Sequence, residues 1–137
     1  MACVGCEVGE GELPGRGMRD HTRRDVAYIV GRMAGLASGS VYDHAAGRSI
    51  SIAGTVEQDA VNVYDYERRV HLSGARSLDG VDVFDHGHRA RLQLALRSPG
   101  RFVGYDHATN SLFEIRAQGR VVEVFDFQTR RSYAYSV

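Results

Sequence analysis

From residue 41 onwards, apolar and polar positions alternate with a period of two, which is typical of strands rather than helices. Valine occupies every other position in segments 61–64, 81–84 and 122–125, and each segment ends with an aromatic residue. Further alternating apolar positions follow each of these segments after a short polar stretch, as at Ile50 and Ile52 in the first unit. Two alternating runs joined by four or five polar residues predict a β-hairpin.

The hairpin pattern is repeated along the chain. An aromatic residue followed by aspartate recurs five times, at steps of 20 to 22 residues. The five pairs are Tyr42-Asp43, Tyr64-Asp65, Phe84-Asp85, Tyr105-Asp106 and Phe125-Asp126. This self-similarity predicts a mainly β protein with five β-hairpin repeats, or ten short antiparallel strands, in residues 40–137.

A different pattern precedes the repeats. Residues 1–20 are rich in glycine and lack periodicity, so we expect a flexible arm. Residues 21–38 fit a short amphipathic helix, with Thr22 as its N-cap and an apolar stripe that includes Val26, Ile29 and Met33. Such a helix is expected to lie across the sheet or to plug one end of it.

The first repeat, Tyr42-Asp43-His44-Ala45-Ala46-Gly47-Arg48, resembles the YD repeat of RHS-type proteins, which are hairpin repeats of about this period. Residues 122–131 also resemble one hairpin of kelch-like or YVTN-like propeller blades. In both families the motif is part of the scaffold. The resemblance therefore implies a scaffold and assigns no catalytic residue.

The repeated aspartates occupy positions at which turn chemistry is expected. Each of the five stands where a strand enters a tight loop, where its carboxylate can accept a backbone N–H two residues further on. Calcium-binding repeats instead bring six to eight oxygens around one ion through closely spaced glycine and aspartate. We therefore predict a structural turn role for Asp43, Asp65, Asp85, Asp106 and Asp126.

Four residues have spacings that could suit a metal. His86 and His88 form a His-x-His pair, and Cys3 and Cys6 form a Cys-x-x-Cys pair, but no second pair follows at zinc-finger spacing. Repeat positions on successive hairpins of an open sheet are two strands, roughly 9–10 Å, apart, so repeated histidines there cannot share one ion. We expect no metal or cofactor, with reduced thiols at both cysteines.

Composition excludes several functional classes. Apolar residues make up 43% of the chain, and 17 basic residues, all arginine, balance 17 acidic ones. A net charge of zero argues against nucleic-acid binding. No apolar run approaches the ~20 residues of a membrane helix, and no apolar leader is evident, so we expect no membrane association and a cytoplasmic location.

No nucleophile motif or phosphate loop is present, so the first hypothesis is a non-enzymatic β-repeat scaffold or protein-interaction module. The alternative is a small closed β-barrel that binds a small apolar ligand, with or without a weak enzymatic role. Contact between the first and fifth hairpins would distinguish the two. In an open array, the final run from Ser132 to Val137 would be an unprotected edge, so we also predict a homo-oligomer that uses this edge or the aromatic face beside it.

Overall fold

The computed structural model describes residues 17–36 and 38–137. One helix, α1 (Asp20–Met33), is followed by ten strands. The strands are β1 Ser40–Asp43, β2 Arg48–Val56, β3 Ala60–Asp65, β4 Val70–Ser77, β5 Gly80–Asp85, β6 Ala90–Ser98, β7 Arg101–Asp106, β8 Ser111–Gln118, β9 Val121–Asp126 and β10 Arg131–Ser136. This arrangement confirms the predicted fold class, which is mainly β with one short helix and ten antiparallel strands.

Each predicted aspartate is followed by a four-residue turn, and these turns lie together at one end of the molecule, which we call the aspartate end. The last residue of every turn has a positive φ between 55° and 70°. These residues are Gly47, Arg69, Arg89, Asn110 and Arg130. The left-handed conformation suits glycine and asparagine but costs a residue such as arginine free energy.

The ten strands form a closed barrel in which β10 pairs with β1. Tyr135 lies opposite Asp43 and Ser136 lies opposite Tyr42, and the His44 N–H donates to the Ala134 carbonyl at 3.1 Å. The final run therefore has strand partners on both sides, β9 and β1. The expectation of an exposed edge at Ser132 to Val137 is wrong, and the homo-oligomer stays a prediction without that basis.

Helix α1 occupies the lumen of the barrel. Residues 22–31 are all buried, including those on the polar side of the expected stripe. A helix outside the barrel would keep one face in solvent, so burial on all sides places α1 within the ring. Its apolar side chains join the inward-facing residues of the strands, such as Val63, Leu72 and Ile115, in one core. The expected short helix is confirmed, whereas its expected position across the sheet or at one end of it is wrong.

The ends of α1 also differ from the expected ones. Thr22 lies within the helix and Arg19 takes the N-cap position without a side-chain cap. At the other end, Gly35 with φ 92° follows the helix, and the Leu36 N–H returns to the Gly31 carbonyl at 3.1 Å, as in a glycine-terminated helix. Residues 1–16 of the expected arm, with Cys3 and Cys6, lie outside the described residues.

Candidate functional site

The five repeated aspartates form a ring of buried carboxylates at the aspartate end. One oxygen of each binds its own turn, as when Asp85 Oδ1 accepts the N–H groups of Gly87 at 2.8 Å and His88 at 3.1 Å. Equivalent bonds run from Ala45 and Ala46 to Asp43, from Glu67 and Arg68 to Asp65, from Ala108 to Asp106, and from Gln128 to Asp126. Their geometry is that of the expected turns.

The second carboxylate oxygen of several ring members binds groups at the start of α1. Asp43 Oδ2 accepts from Arg24 Nε at 2.9 Å, and Asp126 Oδ2 accepts the Met18 N–H at 2.8 Å. Arg24 is itself almost fully buried, and its bond to Asp43 satisfies part of its hydrogen-bonding capacity. The aspartate ring therefore both closes the turns and holds the helix, a second role that the turn pattern did not reveal.

Arg68, in the turn between β3 and β4, forms ion pairs with three carboxylates. Its Nη2 atom lies 2.7 Å from Asp25 Oδ2 and 2.9 Å from Asp85 Oδ2, and its Nε atom lies 3.4 Å from Asp65 Oδ2. Burial disfavours the charge of Asp85, but hydrogen bonds and attraction from Arg68 outweigh burial and lower the pKa of Asp85. Burial, reinforced by the neighbouring Asp65, instead raises the pKa of Asp25 well above its ordinary value.

A histidine pair lies beside this cluster. The Nε2 atoms of His21, on α1, and His88, in the turn after β5, are 2.7 Å apart, and their rings are within 14° of parallel. Burial, followed by the charge of Arg68, lowers the pKa of His21 to about 4. Burial also lowers the pKa of His88. Both rings are therefore neutral at pH 7, and one donates to the other.

The structure does not bring the candidate metal residues together. His88 faces His21, whereas His86 Nε2 bonds Ser73 Oγ at 2.9 Å on the exposed outer surface. Within residues 17–36 and 38–137, no group of three or more histidine, cysteine or acidic side chains is arranged to hold a metal ion. The two cysteines lie outside the described residues.

Repeated ring pairs decorate the outer surface near the aspartate end, and we call them the outer aromatic band. Their centroids lie 4.8–5.2 Å apart in edge-to-face contact. The pairs are Tyr42–His44, Tyr64–Tyr66, Phe84–His86, Tyr105–His107 and Phe125–Phe127. The three histidines of the band bond polar side chains on the adjacent strand of the neighbouring hairpin, namely Ser136, Ser73 and Gln93. These bonds fasten neighbouring hairpins.

The end of the barrel opposite the aspartate ring contains a cavity of about 660 Å³. Helix α1 packs mainly against β1, β2, β3, β8 and β9, and the cavity lies beside its last turn, towards β4, β6 and β7. Apolar side chains line it, namely Val30, Met33, Leu78, Leu96, Phe102 and Ala117. Polar residues, including Asp59 and Arg76, complete its lining. A second, shallower depression of about 520 Å³ lies over β4–β8 and is more open to solvent.

Comparison of the chain with protein-family models, with curated proteins and with solved structures finds no significant match. Within the described parts of the chain, no helix is long and apolar enough to cross a lipid bilayer.

Sequence reasoning identified the aspartates of the ring but not their partners. No site role was predicted for Arg24, Asp25 or Arg68, because nothing local marks a charged residue that a distant strand will bury. The closed-barrel alternative anticipated a ligand-binding space, but the location and lining of the cavity were not predicted, since they exist only once the barrel has closed. One signal was present in retrospect: three consecutive charged residues, 23–25, begin a segment that otherwise reads as a core helix.

Proposed function

We propose that this protein is a non-enzymatic binding module that takes a small apolar ligand into the cavity at the end opposite the aspartate ring. The observation that carries the proposal is the cavity itself, whose volume of about 660 Å³ lies in the range of small-molecule sites. Closure of the barrel between β10 and β1 supports it, because a closed wall encloses a lumen.

The chemistry of the cavity favours an apolar ligand. Phe102 and Ala117 supply apolar surface from the wall, while Val30 and Met33 supply it from α1. Leu78 is 95% exposed nearby, so part of the apolar surface at this end is available to a ligand without rearrangement of the core. Asp59 and Arg76 offer polar contacts that would orient a ligand with a polar group.

The side chains that resemble catalytic pairs argue for binding over catalysis. Ser73–His86 and Ser136–His44 are serine–histidine hydrogen bonds of 2.9 and 2.8 Å. Both are exposed on the outer surface and belong to the cross-strand pattern of the outer aromatic band. A nucleophile triad needs a carboxylate that orients the histidine. Neither histidine has such a partner among its hydrogen bonds in the described chain.

Binding can be tested with the neutral apolar fluorophore N-phenyl-1-naphthylamine, whose emission rises in an apolar site. We expect saturable binding to the wild-type protein and its loss in Ala117→Phe, because the larger side chain fills the cavity. Ala60→Phe is the matched control, since Ala60 lies at the same end but is exposed. Equal binding by Ala117→Phe, or no saturable binding by the wild type, would contradict the proposal.

A second candidate function is protein interaction through the outer aromatic band, which accords with the resemblance to scaffold repeats. Tyr66 is 55% exposed, and Tyr42, Phe84 and Phe127 are also exposed apolar rings. With β10 paired, self-association would use this face rather than a strand edge. Light scattering should show an oligomer that Tyr66→Ser with Phe127→Ser dissociates, whereas Leu78→Ser at the opposite end does not. A wild-type monomer removes self-association from the proposal.

A further inference from the structure

The acidic cluster around Arg68 has more carboxylates than cationic partners. Asp25, Asp65 and Asp85 all contact the one guanidinium of Arg68, and each carboxylate is buried almost completely. If all three were ionised, the four groups would carry two uncompensated negative charges away from water. Such burial is strongly unfavourable, and a buried group usually takes up a proton instead.

The nearest other charges do not restore the balance. From α1, Arg24 is engaged by Asp43 at 2.9 Å and by Glu67 at 3.3 Å. His21 on α1 and His88 in the turn after β5 are neutral at pH 7, for the reasons given above. Arg19 acts on this histidine pair, but its charge is not among the main influences on Asp25. The groups that chiefly influence Asp25 are thus Asp65 and Arg68.

Hydrogen bonding identifies where the proton resides. Asp25 is completely buried, and its Oδ1 atom accepts no hydrogen bond from any described group, whereas Oδ2 accepts from Arg68. The side chain of Asp65 lies within hydrogen-bonding reach of Asp25. An ionised carboxylate only accepts hydrogen bonds, so it cannot bond a second carboxylate, whereas a protonated carboxyl can donate a hydrogen bond to one. One proton on Asp25 therefore satisfies the orphaned oxygen and reduces the excess charge together.

We propose that Asp25 is a neutral carboxylic acid that donates a hydrogen bond from Oδ1 to Asp65, and that this shared proton seats α1 in the barrel and makes the seating sensitive to rising pH. Because the folded protein holds a proton that an unfolded aspartate releases near pH 4, the contribution of Asp25 to the free energy of unfolding falls as the pH rises above that value. The decline continues until Asp25 ionises in the folded state.

The test compares Asp25→Asn with the wild type in urea unfolding across a pH series. The asparagine amide can donate to Asp65 while its oxygen accepts from Arg68, so the variant keeps both bonds without a titrating proton. We expect it to be at least as stable as the wild type at pH 7, with an advantage that grows as the pH rises from 4. Asp85→Asn is the matched control, because Asp85 contacts the same guanidinium. It should be less stable than the wild type at pH 7, since it removes an ionised partner of Arg68.

An Asp25→Asn variant that loses stability at pH 7, with a deficit that grows as the pH rises, would overturn the proposal, as would a variant that fails to fold. Carbon-detected NMR of the wild-type carboxyl groups is an independent measurement. The Asp25 carboxyl carbon should keep the chemical shift of a protonated acid at pH 7. An ionised shift at that pH would overturn the proposal irrespective of the variants.

Discussion

At the residue scale, the five ring aspartates share one turn geometry but differ in what their second oxygen binds. Asp85 Oδ2 accepts from Arg68 at 2.9 Å, a charged partner, whereas Asp106 Oδ2 accepts from the Thr109 hydroxyl at 2.9 Å. The turn bond needs only a side-chain oxygen, which asparagine also supplies. The partner of the second oxygen therefore decides how much each residue depends on its charge.

We accordingly expect Asp106→Asn to be mild and Asp85→Asn to be costly, although sequence reasoning alone predicts the same mild effect for both. Arg68 keeps Asp65 as a partner in Asp85→Asn, so the cost is that of a hydrogen bond to a charged group, about 1.5–3 kcal/mol, while Asp106→Ala, which loses the turn bond, should cost about 0.5–2 kcal/mol. Thermal and urea unfolding of the three variants would measure this. Equal losses for Asp85→Asn and Asp106→Asn would show that Arg68 adds little.

The last residue of each turn gives a second prediction at this scale. Arg89 is exposed and has φ 56°, a conformation that costs an L-residue about 1–2 kcal/mol. Arg89→Gly relieves this cost but adds chain entropy to the unfolded state, so we expect a net stabilisation of up to about 1 kcal/mol. Gly47→Ala at the equivalent position, φ 70°, should destabilise instead. A loss of stability in Arg89→Gly would mean that the Arg89 side chain makes a compensating contact.

At the scale of elements, the strands follow from local pattern, but the position of α1 does not. Val61 and Val63 alternate with polar residues, and this period of two determines which side faces inward whatever the strand pairs with. No burial was predicted for Arg23 and Arg24, because both have partners distant along the chain. Arg23 Nε donates to the Tyr135 hydroxyl at 3.2 Å, and Arg24 Nε donates to Asp43 at 2.9 Å. The buried position of a helix that carries charged residues can therefore be predicted only from long-range contacts.

The contact between α1 and the end of β10 can be tested at Gly31. A glycine-to-alanine change inside a helix ordinarily stabilises it by about 1 kcal/mol. Here a Cβ atom at Gly31 would lie 2.7 Å from the Val137 side chain, so overpacking should reverse the sign and cost about 1–3 kcal/mol. The Val137 Cβ is itself one of the atoms at 2.7 Å, so Val137→Gly in the same chain should recover much of the loss in a double-mutant cycle. Additive effects of the two changes would disprove the contact.

At the scale of the whole molecule, the closed barrel joins residues that no local pattern links. The partners Tyr42 and Ser136 come from the first and last strands, and this pairing distinguishes a ring from an open array of the same hairpins. Period and turn chemistry are equal in both architectures, so the sequence predicted the units and left closure open. The cavity and the carboxylate ring exist only as consequences of closure.

Acid should weaken the whole assembly through its histidine pair. His21 has a pKa of about 4 in the folded protein against an ordinary value of 6.5, so the unfolded chain binds more protons between these values. The contribution of His21 to the free energy of unfolding is fully present above pH 6.5 and is lost as the pH falls towards 4. We expect this loss to lower the melting temperature of the wild type relative to that of His21→Gln when the pH is changed from 7 to 5. An unchanged acid slope in His21→Gln would show that other groups dominate.

The closed barrel also limits how this chain can change length during evolution. An open array of repeats tolerates the duplication or deletion of a unit, because each unit contacts only its neighbours. Here a duplicated hairpin would widen a wall that surrounds a helix of about 10–12 Å diameter with its side chains, and a deleted hairpin would leave that helix too little space. Tandem duplication is therefore unfavourable for this protein, and insertions are best accommodated in the turns at either end.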